Sequence, residues 1–388
     1  MKEYRLEELF DLQMGKTPAR NEAAYWESGD YKWISIGDLS KCGKYITETK
    51  EYISEKAVHD TGISLIPSNT VIMSFKLSIG KTAITNEPMY SNEAIMSFRD
   101  RHVVDLLPDY VFYLLSGRDW DEGTNKAVMG KTLNKATLSK IKVRIHNIEQ
   151  QKEIVSVLDK TSSVIAARQQ QLSALDDIIK ARFVEMFGDP ETNPKDWVKK
   201  TLSEVIITAN NGMARRGNDN DGNIVLRLVE LQDGFIDYTS PNRIKLSDVE
   251  KKRYHLAEND FLFARVNGNP DNVGRCAVFA DIGEPVYHND HIIRVHFDDH
   301  LLNGAFASAL LNSDYGKRQL KNQIKTSAGQ YTVSQDGIGA IVAVLPPIEL
   351  QKQFEQYVTQ VGKSKAVVQN ALDETQLLFD NLMQKHFG

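Results

Sequence analysis

Four basic side chains in the sequence are spaced to lie together on a helix. Lys317, Arg318, Lys321 and Lys325 fall at positions i, i+1, i+4 and i+8 of a predicted helix, so three of them line one side of it. Lysine and arginine on a helix face can neutralise a phosphate backbone without reading its sequence. We therefore predict a phosphate-anchoring face here, while a merely solvated charged face stays open as the alternative.

A second set of candidates lies outside this helix, mainly in loops rich in glycine and asparagine. An arginine in such a loop can donate two hydrogen bonds to guanine, and an asparagine can pair with adenine. Exposed loop arginines and lysines are also common on surfaces that bind nothing, so each single assignment stays open. The candidate DNA-binding residues outside the helix are Lys76, Ser78, Lys81, Lys131, Arg215, Arg216, Arg265, Asn267, Asn269, Arg275, Gln330 and Tyr331.

Motifs for nucleotide and metal chemistry are incomplete. Gly-Lys-Thr begins at Gly15, Gly80 and Gly130, but none of the three has the glycine five residues earlier that a nucleotide-binding phosphate loop needs. His291 and His296 belong to a group of histidines, but His291 precedes and His296 lies within the predicted strand 292–297, where alternation points the two side chains to opposite faces. We prefer ordinary strand and surface histidines to zinc ligands, and we predict neither a bound metal nor a catalytic residue.

The composition is that of an ordinary globular protein. The chain has 388 residues, with 47 basic and 52 acidic side chains and a formal net charge of −5, so any nucleic-acid binding must come from local patches. Its two cysteines are Cys42 and Cys276, which argues against a disulfide framework and favours a reducing compartment. We find no signal peptide and no apolar run of about 18 residues, so we expect a cytoplasmic protein.

The sequence repeats itself at an offset of 200 residues. Nine residues between positions 148 and 188 are identical to their counterparts between 348 and 388, without a gap. Residues 90–95 similarly resemble 287–292. The repeat predicts two copies of one unit, each a globular domain followed by a helix. The predicted boundaries are 1–147 and 189–345 for the globular domains, and 148–188 and 346–388 for the helices.

Two textures alternate within each copy. The globular segments contain short β-type runs, such as residues 33–36, 70–75, 223–229, 260–266 and 292–297, broken by turn-forming residues. The segments that follow are predicted to be helices of about forty residues. The predicted fold class is α+β: a tandem pseudo-two-fold repeat of two mixed α/β domains, separated by a long antiparallel two-helix coiled coil.

Both predicted helices carry a heptad seam. Positions stepping by four and three residues are apolar in seven of ten cases from Ile154 to Met186, and again from Phe354 to His386. Such a stripe must be buried, and the other helix is the obvious partner, although packing of each helix on its own domain stays open. The seam residues are Ile154, Leu158, Ile165, Leu172, Leu175, Ile179, Phe354, Val358, Val361, Val368, Leu372 and Phe379.

This arrangement resembles the specificity subunits of type I restriction-modification systems. The resemblance covers essentially the full length, and it rests on the repeated domain-plus-helix plan and on the sequence Leu-Pro-Pro-Ile-Glu-Leu-Gln-Lys at 345–352, which is similar to that family's Pro-Pro-x-x-x-Gln-x pattern. Residues 33–39 and 327–332 are also similar to family sequences. The first copy departs from the pattern, because His146 and Asn147 replace the two prolines.

The resemblance implies a non-catalytic subunit that recognises a split, asymmetric sequence in double-stranded DNA. Each half would be read by one target-recognition domain, 1–147 or 189–345, and the helices would set the gap. Two modification subunits, which methylate adenine with S-adenosylmethionine, and two restriction subunits, which need ATP and Mg²⁺, would be the partners. No cofactor, metal or membrane is expected for this chain itself. The alternative is a coiled-coil adaptor that binds proteins, not DNA, at its two globular ends.

Overall fold

A computed structural model shows two compact units. The structure describes residues 1–27, 29–76, 78–120, 125–127, 130–327 and 329–388, without the side chains of 125–127, 130–132 and 327. Unit 1 comprises Met1–Gln169 with Asn370–Gly388, and unit 2 comprises Gln170–Gln369. Within the described ranges, no helix combines the length and the apolar character that a membrane crossing requires.

Unit 1 combines short strands with helices that cover one face of its main sheet. The strands are β1 Lys2–Arg5, β2 Phe10–Met14, β3 Tyr31–Ile34, β4 Tyr45–Ile46, β5 Glu51–Ile53, β6 Val71–Ser74, β7 Thr82–Thr85, β8 Tyr90–Ser91, β9 Ile95–Asp100, β10 Asn125–Ala127, β11 Gly130–Thr132 and β12 Lys142–Ile145. The strands of the main sheet lie in the order β2, β9, β6, β7, β4, and a second sheet has the order β5, β3, β8. The helices are α1 Leu6–Leu9, α2 Ile36–Leu39, α3 Glu55–Thr61, α4 Pro108–Ser116, α5 Lys135–Ser139 and the first part of α6 Ile148–Phe187.

Unit 2 follows the same plan. The strands are β13 Val198–Thr201, β14 Ile206–Asn211, β15 Asn223–Leu226, β16 Arg243–Ile244, β17 Phe261–Ala264, β18 Val266–Asn267, β19 Cys276–Val278, β20 Val286–His288, β21 Ile292–Phe297, β22 Lys325–Ser327, β23 Gln330–Thr332 and β24 Val342–Leu345. The main sheet has the order β14, β21, β17, β19, and a second sheet has the order β16, β15, β20. The helices are α7 Asp248–Tyr254, α8 Gly304–Asn312, α9 Asp314–Asn322, α10 Gln335–Gly339 and the first part of α11 Ile348–Phe387.

The strands of the two units correspond in order and direction. The order β2, β9, β6, β7 recurs as β14, β21, β17, β19, and the order β5, β3, β8 recurs as β16, β15, β20. The pairs β3–β8 and β15–β20 are both parallel. Helix α5, strand β12 and helix α6 recur as α10, β24 and α11 at an offset of 200 residues. The repeat and the mixed α/β class predicted from the sequence are therefore confirmed.

The long helices contact each other within each unit. In unit 1, Arg168 Nη1 of α6 donates to Thr375 Oγ1 of α11 at 2.8 Å. In unit 2, Lys365 Nζ lies 2.6 Å from Asp176 Oδ1, and the rings of Phe183 and Phe354 have centroids 5.7 Å apart. Within unit 2, rising numbers on α6 thus meet falling numbers on α11, which is the predicted antiparallel direction. All twelve predicted seam residues are buried or half-buried.

A buried glutamine ties the start of each long helix to its globular domain. Gln151 is fully buried, and its Nε2 donates to Asp105 O and to His146 O, each at 2.9 Å. Gln351 makes the same kind of contacts, since its Nε2 donates to Pro346 O at 2.7 Å. A buried amide with its donors and acceptor paired fixes a contact in one geometry.

Two local predictions differ from the structure. Lys325 does not continue the predicted basic helix, because α9 ends at Asn322 and Lys325 begins strand β22. The strand pairs with β23, and the β-branched residues at 324 and 326 favour it over further helix. Ile36 falls in a predicted β-type run but begins helix α2, since Ser35 caps that helix by accepting from the Asp38 amide at 3.2 Å.

Candidate nucleic-acid interface

Four chain segments meet in unit 1, next to the candidate basic residues. They contain residues 15–17, 75–76, 91–95 and 133, and we call this meeting point the four-segment junction of unit 1. Four backbone hydrogen bonds join these segments. The amides of Gly15 and Lys16 donate to Ile95 O at 3.2 Å and to Ser91 O at 2.8 Å. The amides of Phe75 and Leu133 donate to Ala94 O at 3.0 Å and to Phe75 O at 3.2 Å.

Unit 2 has the same four-segment junction, formed by residues 212–216, 265–267, 288–292 and 333. The amides of Gly212 and Met213 donate to Ile292 O at 3.3 Å and to His288 O at 3.0 Å. The amides of Arg265 and Val333 donate to His291 O at 2.7 Å and to Arg265 O at 2.9 Å. Matched backbone bonds with different side chains are what two versions of one binding surface require.

A glycine at each junction allows the close approach of two backbones. A Cβ atom on Gly15 would lie 2.1 Å from Ser91 O, and one on Gly212 would lie 2.2 Å from His288 O. Both distances are too short for any side chain, so only glycine fits at these two positions. The segment after each glycine is thereby held against the turn that precedes β9 or β21.

In unit 1 the segment after the glycine carries a hydroxyl and an arginine. Thr17 Oγ1 donates a hydrogen bond to Glu93 Oε2 in the opposing turn. The guanidinium of Arg20 lies 4.0 Å from the ring centroid of Trp26 and pairs with both carboxylate oxygens of Glu51. Stacking on an aromatic face and a bidentate carboxylate contact both hold an arginine in a fixed orientation.

In unit 2 two arginines of the corresponding junction, Arg216 and Arg265, contact the same residue, Asp290. Arg216 Nη2 lies 2.7 Å from Asp290 Oδ1 and 3.0 Å from His291 Nε2. Arg265 Nη1 donates to the backbone oxygen of Asp290 at 3.2 Å. The Arg216 side chain is 52% exposed, so it is held in place and still open to a ligand.

Two of the first-copy candidates, Lys76 and Ser78, lie beside the junction of unit 1. Lys76 follows Phe75, and its ammonium lies 5.4 Å from the centroid of that ring. The amide of Ser78 donates to Lys76 O at 2.8 Å. Lys81 is exposed, and its Nζ donates to Ser40 Oγ at 2.8 Å. Lys131 lies on β11, and its side chain is outside the described part of the structure.

Several second-copy candidates gather beside Arg265 in a small sheet. Strand β18 pairs with β23, which places Asn267 opposite Tyr331. Strand β22 also pairs with β23, which places Lys325 opposite Thr332. Gln330 on β23 is exposed. A narrow β-ribbon that presents basic and amide side chains has dimensions that the major groove of DNA accepts.

Two other candidates have side chains engaged in local contacts. Arg215 Nε donates to Glu250 Oε1 at 3.1 Å, and this contact, followed by bonds from Ser247, lowers the pKa of Glu250 to about 2. The Asn269 amide donates to Asn267 Oδ1 at 2.9 Å, while the Asn269 side chain accepts a hydrogen bond from the Asp271 amide at 3.0 Å and caps the short helix Pro270–Asn272. Arg215 and Asn269 therefore differ from Arg216, which pairs with Asp290 at the junction.

The basic residues of α9 form a separate cluster that is already ion-paired. Lys317 Nζ lies 2.8 Å from Asp233 Oδ2, and Arg275 Nε lies 3.9 Å from Asp233 Oδ1. Arg275 therefore belongs with α9 and not with Arg265. DNA phosphates would compete with these carboxylates. The two further pairs are Arg318 with Glu191 and Lys321 with Asp271, with N–O distances of 2.5 and 3.8 Å.

Several residues at the junction of unit 1 were not predicted from the sequence. Lys16, Thr17 and Arg20 lie after Gly15 as Arg216 lies after Gly212, and the offset of the 90–95 and 287–292 blocks was the available signal. The structure shows no group of three or more His, Cys, Asp or Glu side chains arranged to hold a metal ion among the residues it describes.

Comparisons with known proteins cover both copies of the repeat. The family model described as the type I restriction modification DNA specificity domain matches residues 1–176. The chain is 25% identical to the StySPI type I specificity subunit of Salmonella potsdam, over 97% of this chain and 86% of that protein. It is 20% identical to the EcoKI specificity subunit of Escherichia coli K12, with the same coverage. These matches confirm the predicted resemblance to the type I specificity subunits.

The folds of solved type I specificity subunits agree with this family. An S subunit from M. genitalium covers 100% of this chain with a TM-score of 0.54 and 13% sequence identity, and 96% of that chain is covered. A second structure, from work on complex assembly and conformational transition of a type I system, gives a TM-score of 0.57 at 13% identity, with 100% and 97% coverage. At such low identity the likeness shows a shared fold.

Proposed function

We propose that this type I specificity subunit reads an asymmetric, two-part target in double-stranded DNA, one part with each unit. The four-segment junction carries the proposal, because it has the same backbone bonds in both units and different side chains. Lys76 and Arg20 stand beside it in unit 1, where unit 2 has Arg216, Arg265 and Asn267. Different donors on one framework select different base edges, so the two parts of the target differ in sequence.

The long helices would serve as the scaffold for partner subunits. On the unit 1 part of α6, Val157 and Val164 stand one heptad apart and are 47% and 41% exposed. In unit 2, Ile178 of α6 is 44% exposed and Val367 of α11 is 69% exposed. Apolar side chains left open on a helix support a protein partner. The partners we propose are two modification and two restriction subunits.

This chain would select the DNA target and would contribute no catalytic group. S-adenosylmethionine, ATP and Mg²⁺ would be bound by the partner subunits, which carry out methylation and DNA cleavage in the cytoplasm. Positioning follows from contacts to the phosphate backbone, and selection follows from contacts to base edges. The adaptor alternative is not favoured, since it gives no reason for basic side chains beside the matched backbone bonds of both junctions.

The test is methylated-base sequencing of host DNA. Cells that carry this chain with its modification subunit are compared with cells that carry the modification subunit alone. One asymmetric, gapped motif should be methylated only when this chain is present. A motif without a gap, or the absence of any motif that depends on the chain, would contradict the proposal.

A further inference from the structure

One carboxylate occupies the same position at each four-segment junction. Glu93 lies in the turn between β8 and β9, and Asp290 lies in the turn between β20 and β21. The asparagine before each carboxylate shapes the turn, because its Oδ1 accepts from the amide two residues on, at 3.0 Å for Asn92 and 3.1 Å for Asn289. Neither of these turn bonds uses the carboxylate, so the turn does not require it.

An acidic side chain is costly on a surface that must approach phosphates. In unit 1 the hydrogen bond from Thr17, followed by the charges of Lys76 and Arg20, holds the pKa of Glu93 below its usual range. In unit 2 the carboxylate of Asp290 faces Arg216. A negative group in the same place, surrounded by basic groups in both units, indicates a shared role in which only its partner differs.

Each carboxylate keeps a surface that a ligand can reach. Glu93 is exposed. The Asp290 side chain is 27% exposed, while its Oδ1 is buried beside Arg216, so the exposed surface belongs to the rest of that side chain. A carboxylate has only acceptor sites, and it therefore selects a hydrogen-bond donor.

We propose that Glu93 and Asp290 each accept a hydrogen bond from the amino group of a cytosine in the part of the target that their unit contacts. In the major groove, guanine shows only acceptors, and thymine shows an acceptor and a methyl group. Adenine shows an amino group beside the acceptor N7, which would repel the carboxylate. Cytosine shows its amino group alone. This inference rests on the proposed function.

The neighbour of each carboxylate sets how much of the base pair is read. Thr17 donates a hydrogen bond from its hydroxyl to Glu93 and adds no positive charge. Arg216 sits 2.7 Å from Asp290 and carries further N–H donors, which suit the O6 and N7 acceptors of the guanine paired with that cytosine. Unit 2 should therefore discriminate more strongly at this position than unit 1.

The test compares methylated motifs in cells expressing the modification subunit with wild-type chain, Glu93→Gln or Asp290→Asn. The matched controls are Glu48→Gln in unit 1, whose side chain is 78% exposed, and Asp281→Asn in unit 2, also exposed. Wild-type motifs should contain a C·G pair in each part. Each site variant should lose discrimination at one such pair, roughly 5- to 150-fold, in its own part only. Both controls should keep the wild-type motif.

The outcomes separate this inference from the proposed function. No gapped motif from wild-type chain overturns the proposed function itself. A gapped motif that lacks a C·G pair in either part, or that stays unchanged in both site variants, overturns the inference alone. If Glu93→Gln fails to assemble, Thr17→Val is tested in its place, because it keeps the Glu93 carboxylate and removes the hydroxyl that donates a hydrogen bond to it. A smaller loss at the same base pair then supports the inference, and an unchanged motif overturns it.

Discussion

Gln351 offers the sharpest test of how the second long helix is fixed to its domain. Its side chain is fully buried and makes three hydrogen bonds to backbone groups. Its Oε1 accepts from the Asn303 amide at 2.9 Å, and its Nε2 donates to Leu301 O at 3.0 Å and to Pro346 O at 2.7 Å. Replacing it with leucine keeps the approximate volume but removes all three bonds.

The size of the effect follows from those three bonds. Each contributes about 0.5–1.5 kcal/mol to stability, and buried groups left without partners cost at least as much. We therefore expect Gln351→Leu to lower the free energy of unfolding of unit 2 by roughly 3 kcal/mol. For a domain of roughly 200 residues this corresponds to a melting temperature lower by about 6–12 °C.

Differential scanning calorimetry of the purified chain measures this shift. Gln353→Leu is the matched control, because Gln353 lies on the same helix turn and is exposed. It should change the free energy of unfolding by no more than about 0.5 kcal/mol. Equal melting temperatures for Gln351→Leu and the control would refute the view that this amide locks the helix to the domain.

Three further predictions concern pH, the helix seam and DNA affinity. His288 is fully buried, and burial, followed by the charge of Arg294, lowers its pKa to about 4. Between about pH 6.5 and about pH 4 the unfolded chain binds a proton at this histidine and the folded chain does not, so the free energy of unfolding should fall as the pH falls through this range. Denaturant unfolding of His288→Ser should show a smaller decline over this range. A decline equal to that of the wild-type chain would contradict the role of His288. Leu172→Asp with Leu372→Asp should prevent modification-subunit docking in a co-purification assay while the globular parts stay folded, and normal assembly would argue against a buried seam. Alanine in place of four basic residues should reduce the slope of log affinity against log salt by up to about 0.9 for each DNA phosphate that is no longer neutralised, and an unchanged slope in a fluorescence titration would exclude phosphate anchoring. These residues are Lys317, Arg318, Lys321 and Lys325.

The long-range organisation of this fold was accessible from the sequence because it is written twice. An offset of 200 residues matched the long helices, and the structure gives both the same bounds at that offset, Ile148–Phe187 and Ile348–Phe387. Heptad spacing also identified positions that are buried or half-buried in the structure. Periodicity over forty residues averages out local irregularity, which is why it is a strong signal.

The arrangement of the candidate site was less accessible. The partners of Arg215 and Arg216 could not be told apart in sequence, although one arginine faces Glu250 and the other faces Asp290. The conformation of the loop decides which way each of these two side chains points, and a periodic sequence pattern carries no information about it. Lys325 was misplaced because a basic helix pattern ran into a hairpin whose pairing is a tertiary effect.

A chain with the same target-recognition domain in both units tests whether each unit recognises one part of the target. Residues 2–147 are replaced by residues 198–347, so that the pairing of Val198 with Leu345 takes the place of the pairing of Lys2 with Ile145. Because the predicted repeat is pseudo-two-fold, methylated-base sequencing with the modification subunit present should then give a gapped palindrome, in which each strand carries the part that unit 2 reads in the wild-type chain. A gapped motif that is still asymmetric would contradict recognition of one part by each unit.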